Sequence, residues 1–243
     1  MIDFGTSNSS VLEGDLIASS VPQLSGLHLS SITNITGNWT LFNLSSLTSI
    51  SSGVLHSCAK VYFSTLLAVS QIETSEVIEV TDVTVFNTSF TSLPLFGGND
   101  FSSNVSITNN NKLGDVAFDF QLLDTLIFES NGNSSSLDLS SLSYAETLRI
   151  TNSTSFTAQN LQAVELLVLE GNELTSFEAP GLSECGSFLF SNNPNITSLK
   201  LNYFPTNLSI VNNNALQQVE FGGPGNVVFG KEHTVALSGK FLR

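Results

Sequence analysis

Residues 188–193 read Phe188-Leu189-Phe190-Ser191-Asn192-Asn193, and residues 208–213 repeat the arrangement as Leu208-Ser209-Ile210-Val211-Asn212-Asn213. This unit, an apolar-x-apolar triplet followed two or three residues later by asparagine, recurs along the chain and decides how it is read. The triplets are Trp39-Thr40-Leu41, Val61-Tyr62-Phe63, Val83-Thr84-Val85, Val105-Ser106-Ile107, Leu126-Ile127-Phe128, Leu148-Arg149-Ile150, Leu167-Val168-Leu169, Phe188-Leu189-Phe190, Leu208-Ser209-Ile210 and Val227-Val228-Phe229. Their third residues lie 19 to 22 positions apart over ten copies, a period that a random apolar sequence would not keep. Asn87, Asn109, Asn110, Asn131, Asn152, Asn172, Asn192, Asn193, Asn212 and Asn213 follow them. Asparagine tolerates the left-handed backbone conformation and bonds to nearby backbone, so it suits a sharp corner made once per repeat.

A second triplet follows in the better-formed repeats: Val116-Ala117-Phe118, Leu137-Asp138-Leu139, Phe156-Thr157-Ala158, Phe177-Glu178-Ala179, Leu199-Lys200-Leu201 and Val219-Glu220-Phe221. Alternation sends the outer members of each triplet inward and the middle one to solvent, so stacked repeats share one apolar core. The expected fold is all-β, a right-handed parallel β-solenoid of about ten turns with two short strands per turn. Residues 1–24 are expected as a partly ordered N-terminal segment and residues 25–243 as a single solenoid domain. Residues 160–169 alone carry an amphipathic helical spacing, through Leu161, Val164, Glu165, Leu167 and Val168. Gly, Asn and β-branched residues interrupt that spacing elsewhere, so helix content is expected near zero.

Only 12% of residues are charged against 41% hydrophobic, which describes a folded protein with a neutral polar surface rather than a disordered one. The net charge is −14, and the seven basic residues are scattered, so no basic stripe exists to neutralise phosphates. Nucleic acid is excluded as a partner, and the acidity is read as a solubility feature. Mean hydropathy is positive, at +0.20. The apolar runs are nevertheless short, as at Leu66-Leu67-Ala68-Val69, against the roughly 18 residues that a membrane span needs.

The stretch Asn160-Leu161-Gln162-Ala163-Val164-Glu165-Leu166-Leu167-Val168-Leu169-Glu170-Gly171-Asn172-Glu173-Leu174 resembles a leucine-rich repeat. The second strand per turn departs from ordinary leucine-rich repeats and is similar to the receptor L-domain solenoid, and more closely to the Sps2-like fungal cell-wall proteins built from that module. Ser106-Ile107-Thr108-Asn109-Asn110 and Phe190-Ser191-Asn192-Asn193-Pro194-Asn195-Ile196-Thr197-Ser198-Leu199 also resemble that family's repeat. The resemblance covers roughly residues 25–243. It implies a GPI-anchored, non-enzymatic cell-wall glycoprotein of wall organisation, with wall polysaccharide or a surface protein as partner and no cofactor. The chain opens on Met1-Ile2-Asp3-Phe4 without a secretory signal pattern and closes on Lys240-Phe241-Leu242-Arg243 without a GPI tail or polar cap, so a longer gene product is expected. A receptor-type ectodomain binding a soluble ligand is the first alternative, and a polysaccharide-active β-helix the second.

Cys58 and Cys185 lie about six turns apart, which at ~4.8 Å per stacked strand is roughly 29 Å. A disulfide tolerates no more than about 7 Å, so no disulfide is expected between them. Ten Asn-x-Ser/Thr sequons occur, at Asn8, Asn34, Asn38, Asn43, Asn87, Asn104, Asn133, Asn152, Asn195 and Asn207, where chance alone would give about six. Asn38, Asn104 and Asn207 share one phase, three residues before the end of a first triplet, and are expected to carry glycans along one sheet edge. Asn87 and Asn152 fall at the corner, where lower occupancy is expected.

No catalytic, cofactor or metal residue is assigned. Glycosidic chemistry needs convergent carboxylates, and Asp115, Asp119, Asp124 and Asp138 do not share a phase. His28, His56 and His233 are far apart in the coil, and Gly222-Gly223-Pro224-Gly225 lacks the Lys-Ser/Thr of a phosphate-binding loop. The outward row of the first triplets places Ile127, Val168 and Leu189 around Arg149, and this apolar patch is the candidate partner surface.

Overall fold

The computed structural model describes residues 1–4, 9–74, 77–98, 103–132, 135–177, 179–203, 205–221, 226–229 and 236–238. Among them every regular element is a β-strand and every strand pairing is parallel. The longest sheet has eleven strands: β1 (Leu16–Ser19), β2 (Trp39–Phe42), β3 (Lys60–Ser64), β4 (Asp82–Phe86), β5 (Asn104–Thr108), β6 (Leu122–Glu129), β7 (Tyr144–Thr151), β8 (Ala163–Glu170), β9 (Glu184–Ser191), β10 (Asn207–Val211) and β11 (Asn226–Phe229). Each is hydrogen-bonded to the next in chain order, so the sheet grows by one strand per coil. The ten first triplets supply β2 to β11, and Leu16–Ser19 adds a coil that the triplet reading did not count.

The solenoid therefore begins ahead of residue 25. Ile2–Asp3 pairs with Gly26–His28, Val11–Leu12 pairs with Asn34–Ile35, and β1 pairs with β2. The signal there is thin because Leu16-Ile17-Ala18-Ser19 ends in small residues and no asparagine follows it.

Two shorter sheets build the rest of the first coils. One has four strands, Ile2–Asp3, Gly26–His28, Ser49–Gly53 and Ile72–Thr74. The other has eight and runs from Val11–Leu12 through Ser57–Cys58 and Phe96–Gly98 to Ser155–Thr157. Coils up to about residue 79 thus carry three strands, and later ones carry two, except that of Ala163–Glu170, whose second segment forms no strand among the described residues. A three-stranded sheet of Ser198–Leu201, Gln218–Phe221 and Ala236–Ser238 completes the described residues. Five of the six second triplets lie on strands; at the other, Phe177 and Ala179 are buried without a strand.

The core is one continuous column. The first and third members of the described triplets, from Trp39 and Leu41 to Leu208 and Ile210, are all buried. Aromatic rings stack along it: Trp39 meets Phe63 edge-on at 4.9 Å between centroids, and Phe156 stacks on Phe177 at 5.8 Å. Coils approach so closely at Gly132 that a Cβ there would lie 2.2 Å from the carbonyl oxygen of Leu113.

The first ten long-sheet strands, β1 to β10, all end in the same corner. Ser20, Asn43, Thr65, Asn87, Asn109, Ser130, Asn152, Gly171, Asn192 and Asn212 all adopt positive φ, between 51° and 64°. Val21, after Ser20, is exposed, whereas from Asn43 onward the next residue is buried. In early coils it is Leu44 or Leu66, both fully buried. From Asn110 onward it is mostly asparagine, and the side chains form a ladder. Asn172 N–H donates to Asn193 Oδ1 at 3.0 Å, and Asn193 N–H donates to Asn213 Oδ1 at 2.9 Å. Each Nδ2 donates to backbone carbonyls, as Asn193 does to Leu169 and Ser191, both at 3.0 Å. Asn110 and Asn131 repeat the pattern, with Asn110 N–H donating to Asn131 Oδ1 at 3.2 Å. Ser153 occupies the rung between Asn131 and Asn172.

Candidate functional site: the outer face of the long sheet

Alternation along β1 to β10 presents three outward rows, one residue of each per strand. The register aligns Lys60, Asp82, Asn104, Thr125, Thr147, Leu166, Ser187 and Asn207 in the first row. The second holds Tyr62, Thr84, Ser106, Ile127, Arg149, Val168, Leu189 and Ser209, and the third includes Phe42, Ser64, Phe86 and Thr108.

Asn104 and Asn207 share the first row as expected from their phase, and both are exposed. Asn38, one residue before β2, is half-buried, and its N–H donates to Asp15 Oδ1 at 2.7 Å. Asn43, Asn87 and Asn152 are exposed corner residues with φ of 52°, 51° and 57°. Asn34 is half-buried in a short strand, and Asn195 is exposed. Asn8 and Asn133 lie outside the described residues, as do His233 and the 222–225 loop.

The second row places Ile127, Arg149, Val168 and Leu189 side by side, but they do not form a continuous exposed apolar patch. Val168 is only 5% exposed, although it sits in the outward row, with Arg149 and Leu189 as its register partners on the strands on either side. Arg149 is held by carboxylates of the coils before and after: its Nε donates to Glu129, and its Nη2 lies 3.7 Å from Glu170. Ile127 is half-buried, which leaves Leu189, 40% exposed, as the open apolar member. At the other end of the sheet Phe42, Tyr62 and Phe86 are exposed to the same degree, and the two phenyl groups flank a Ser64 that is buried beneath them.

Two shallow grooves cross the strands. One, of about 440 Å³, has Tyr62 and Ile127 as end walls, Thr84 and Ser106 on its floor, and Lys60, Asp82 and Asn104 along its rim. Lys60 Nζ lies 2.5 Å from Asp82, and Asn104 donates from both N–H and Nδ2 to Asp82 Oδ1. Burial works to raise the Asp82 pKa, but these hydrogen bonds and the Lys60 charge outweigh it and hold the carboxyl below its ordinary value. The other groove, of about 350 Å³, is walled by Leu166 and Leu189, with Asn207, Ser187 and Ser209 on its polar side.

A carboxylate column that sequence phase-matching missed runs beside the first row. Asp124, Glu146 and Glu165 stand in consecutive coils, each four residues before the end of its triplet, at an irregularity that the strand pairing steps over. Glu146 shares a hydrogen bond with Asp124, and that bond, with the charges of Asp124 and Glu165, raises its pKa above the ordinary carboxylate range. Tyr144 is raised first by burial and then by the same three acids. Among the described residues no group of three metal-ligating side chains converges.

Cys58 and Cys185 are free and buried, on different sheets, and burial pushes each thiol up to about 12. No helix among the described residues is long and apolar enough to cross a membrane.

No family model matches the chain, and no solved structure does. Among curated proteins it is similar to protein ecm33 of Aspergillus fumigatus, at 25% identity over 208 residues, which is 80% of this chain and 50% of ecm33. The chain thus spans about half the length of the curated relative it matches. That similarity, and a coiled parallel fold that fits L-domain modules, agree with the resemblance of the repeat to the Sps2-like family.

Proposed function

We propose that the protein is a non-enzymatic, secreted glycoprotein of the fungal cell wall or cell surface that acts in wall organisation as a rigid scaffold. The likeness to ecm33 over most of the chain carries this reading. The fold supports it: a column of parallel coils presents a long sheet face on which Lys60 pairs with Asp82 and Arg149 with Glu129. Attachment by a GPI anchor and contact with wall polysaccharide or a surface protein belong to the same proposal, with Phe42 and Phe86 as the contact residues most open on the third row.

The test is twofold. Internally tagged protein in its full gene context should fractionate with the wall, and the purified protein should co-sediment with wall glucan or chitin at high salt, where non-specific charge effects are screened. A Phe42→Ser/Phe86→Ser double variant should lose retention. A protein found wholly inside the cell would overturn the reading.

The carboxylate column favours one second reading, a polysaccharide-active enzyme. Stacked acids with one raised pKa are the raw material of general acid–base chemistry. Release of reducing sugar from purified wall, abolished in Glu146→Gln, would establish it; none is expected.

A further inference from the structure

We propose that the N-linked glycans of Asn104 and Asn207 are seated on the protein itself. The inner N-acetylglucosamine of each lies in the groove at whose rim its asparagine stands, against Tyr62 in the first groove and Leu189 in the second. The proposal rests on the secreted reading above, since N-linked transfer occurs on that route.

The two grooves carry the argument because they arrive at the same arrangement from different residues. Each crosses the strands of the long sheet, and each has a sequon asparagine on its rim in the same row. Strand alternation puts the sequon serine on the same face as its asparagine, so Ser106 lines the first groove and Ser209 the second. No other sequon asparagine lines either groove. Asn104 and Asn207 are exposed, and each side-chain nitrogen donates to a neighbour in its row, Asp82 Oδ1 or Ser187 Oγ, through one of its two hydrogens, a bond that the singly substituted amide can keep.

The groove chemistry fits that occupant. A pyranose ring offers an apolar C–H face and a polar edge of hydroxyl and acetamido groups. The first groove offers the Tyr62 ring and Ile127 on its walls, with the hydroxyls of Thr84 and Ser106 beneath. The second offers Leu166 and Leu189 opposite Ser187 and Ser209, and no ionised side chain lines it. A free monosaccharide would bind such open grooves feebly. A tethered one is present at an effective concentration on the order of millimolar, so a weak contact suffices to fill the seat. The sugar then covers Leu189, the large apolar side chain that the second half of the sheet otherwise leaves open among the described residues.

The experiment uses the protein secreted from a yeast host. Site-resolved mass spectrometry gives occupancy, and thermal unfolding compares intact glycans, glycans trimmed by endoglycosidase to a single N-acetylglucosamine, and protein without each glycan. Ser106→Ala and Ser209→Ala remove one glycan each while keeping the asparagine; Asn104→Gln and Asn207→Gln check them. Both sites should be occupied. Trimming should leave the melting temperature unchanged, and loss of either glycan should lower it by about 2–4 °C, the shift that one net contact gives in a chain of this size. Tyr62→Ser should abolish the Asn104 increment and spare that of Asn207, and Leu189→Ser should do the reverse. Empty sites on secreted protein would overturn the proposal. So would occupied sites without an increment, or increments that survive both groove variants. Failure of the wall reading shows separately, as a fully glycosylated protein that does not associate with wall.

Discussion

Early and late coils turn the same corner by different means. In both, the residue after the long-sheet strand takes positive φ. In the early coils the next side chain is Leu44 or Leu66, and a third short strand, Ser49–Gly53 or Ile72–Thr74, carries backbone hydrogen bonds between coils beyond the corner. In the late coils that sheet is gone, and buried asparagine takes its place. The amides of Asn172, Asn193 and Asn213 make the coil-to-coil bonds that the strand made earlier. A buried backbone polar group must find a partner, and a side-chain amide with one acceptor and two donors can stand in for a peptide unit. Three strands with a leucine corner and two strands with an asparagine ladder are two solutions to one constraint.

Exchanging the corner residues breaks the comparison hardest. Leu66→Asn should destabilise by about 4 kcal/mol, combining a lost buried leucine with an amide that has no ladder to join. The reciprocal Asn193→Leu should cost about 3 kcal/mol, because the Asn172 N–H and the Leu169 carbonyl lose their partner. Chemical unfolding measures both, and a near-neutral Asn193→Leu would mean that the ladder is dispensable. A smaller effect tests what the two regions share: Asn192→Val, at φ of 56°, should cost about 2 kcal/mol, since a β-branched residue resists the left-handed conformation. The two regions also share inert thiols. Cys58 in the early coils and Cys185 in the late ones should resist a thiol reagent at neutral pH until the chain unfolds, given pKa values near 12.

The smallest effect belongs to the late coils alone. The Glu146 carboxyl is raised in the fold, so folding favours its protonated form. Its contribution is present at low pH and is lost as pH rises through the folded pKa. Glu146→Gln should therefore raise the melting temperature slightly at neutral pH, and the difference should vanish on acidification below the ordinary carboxylate range.

Much of this could be read in the sequence, and the failures have physical causes. The triplets were legible because a strand buried on one face must alternate, and every coil from Trp39 to Ile210 obeys. The third early strand was not, because Gly26-Leu27-His28 and Ser49-Ile50-Ser51 each offer one apolar residue and no alternation. Asparagine was recognised as a corner former, yet doublets such as Asn192-Asn193 divide the work. The first member takes positive φ and the second turns inward to the ladder, a distinction that lies in backbone geometry. The row containing Val168 followed from register, but its burial depends on how neighbouring side chains lie, which periodicity cannot show. The carboxylate column did leave a signal, a constant offset of four residues from the triplet end at Asp124, Glu146 and Glu165, hidden by the mix of Asp with Glu.

The bonds between coils run along the axis of the column, and that gives the molecule a mechanical character. Tension on its two ends would load the coil boundaries in series, each with the same force, so that the weakest yields first. Each boundary that yields would free one coil of roughly 20 residues, about 70 Å of slack, while the remaining coils kept their shape. Such a column would extend by steps of similar length, and the asparagine ladder sets how firmly each late step is latched.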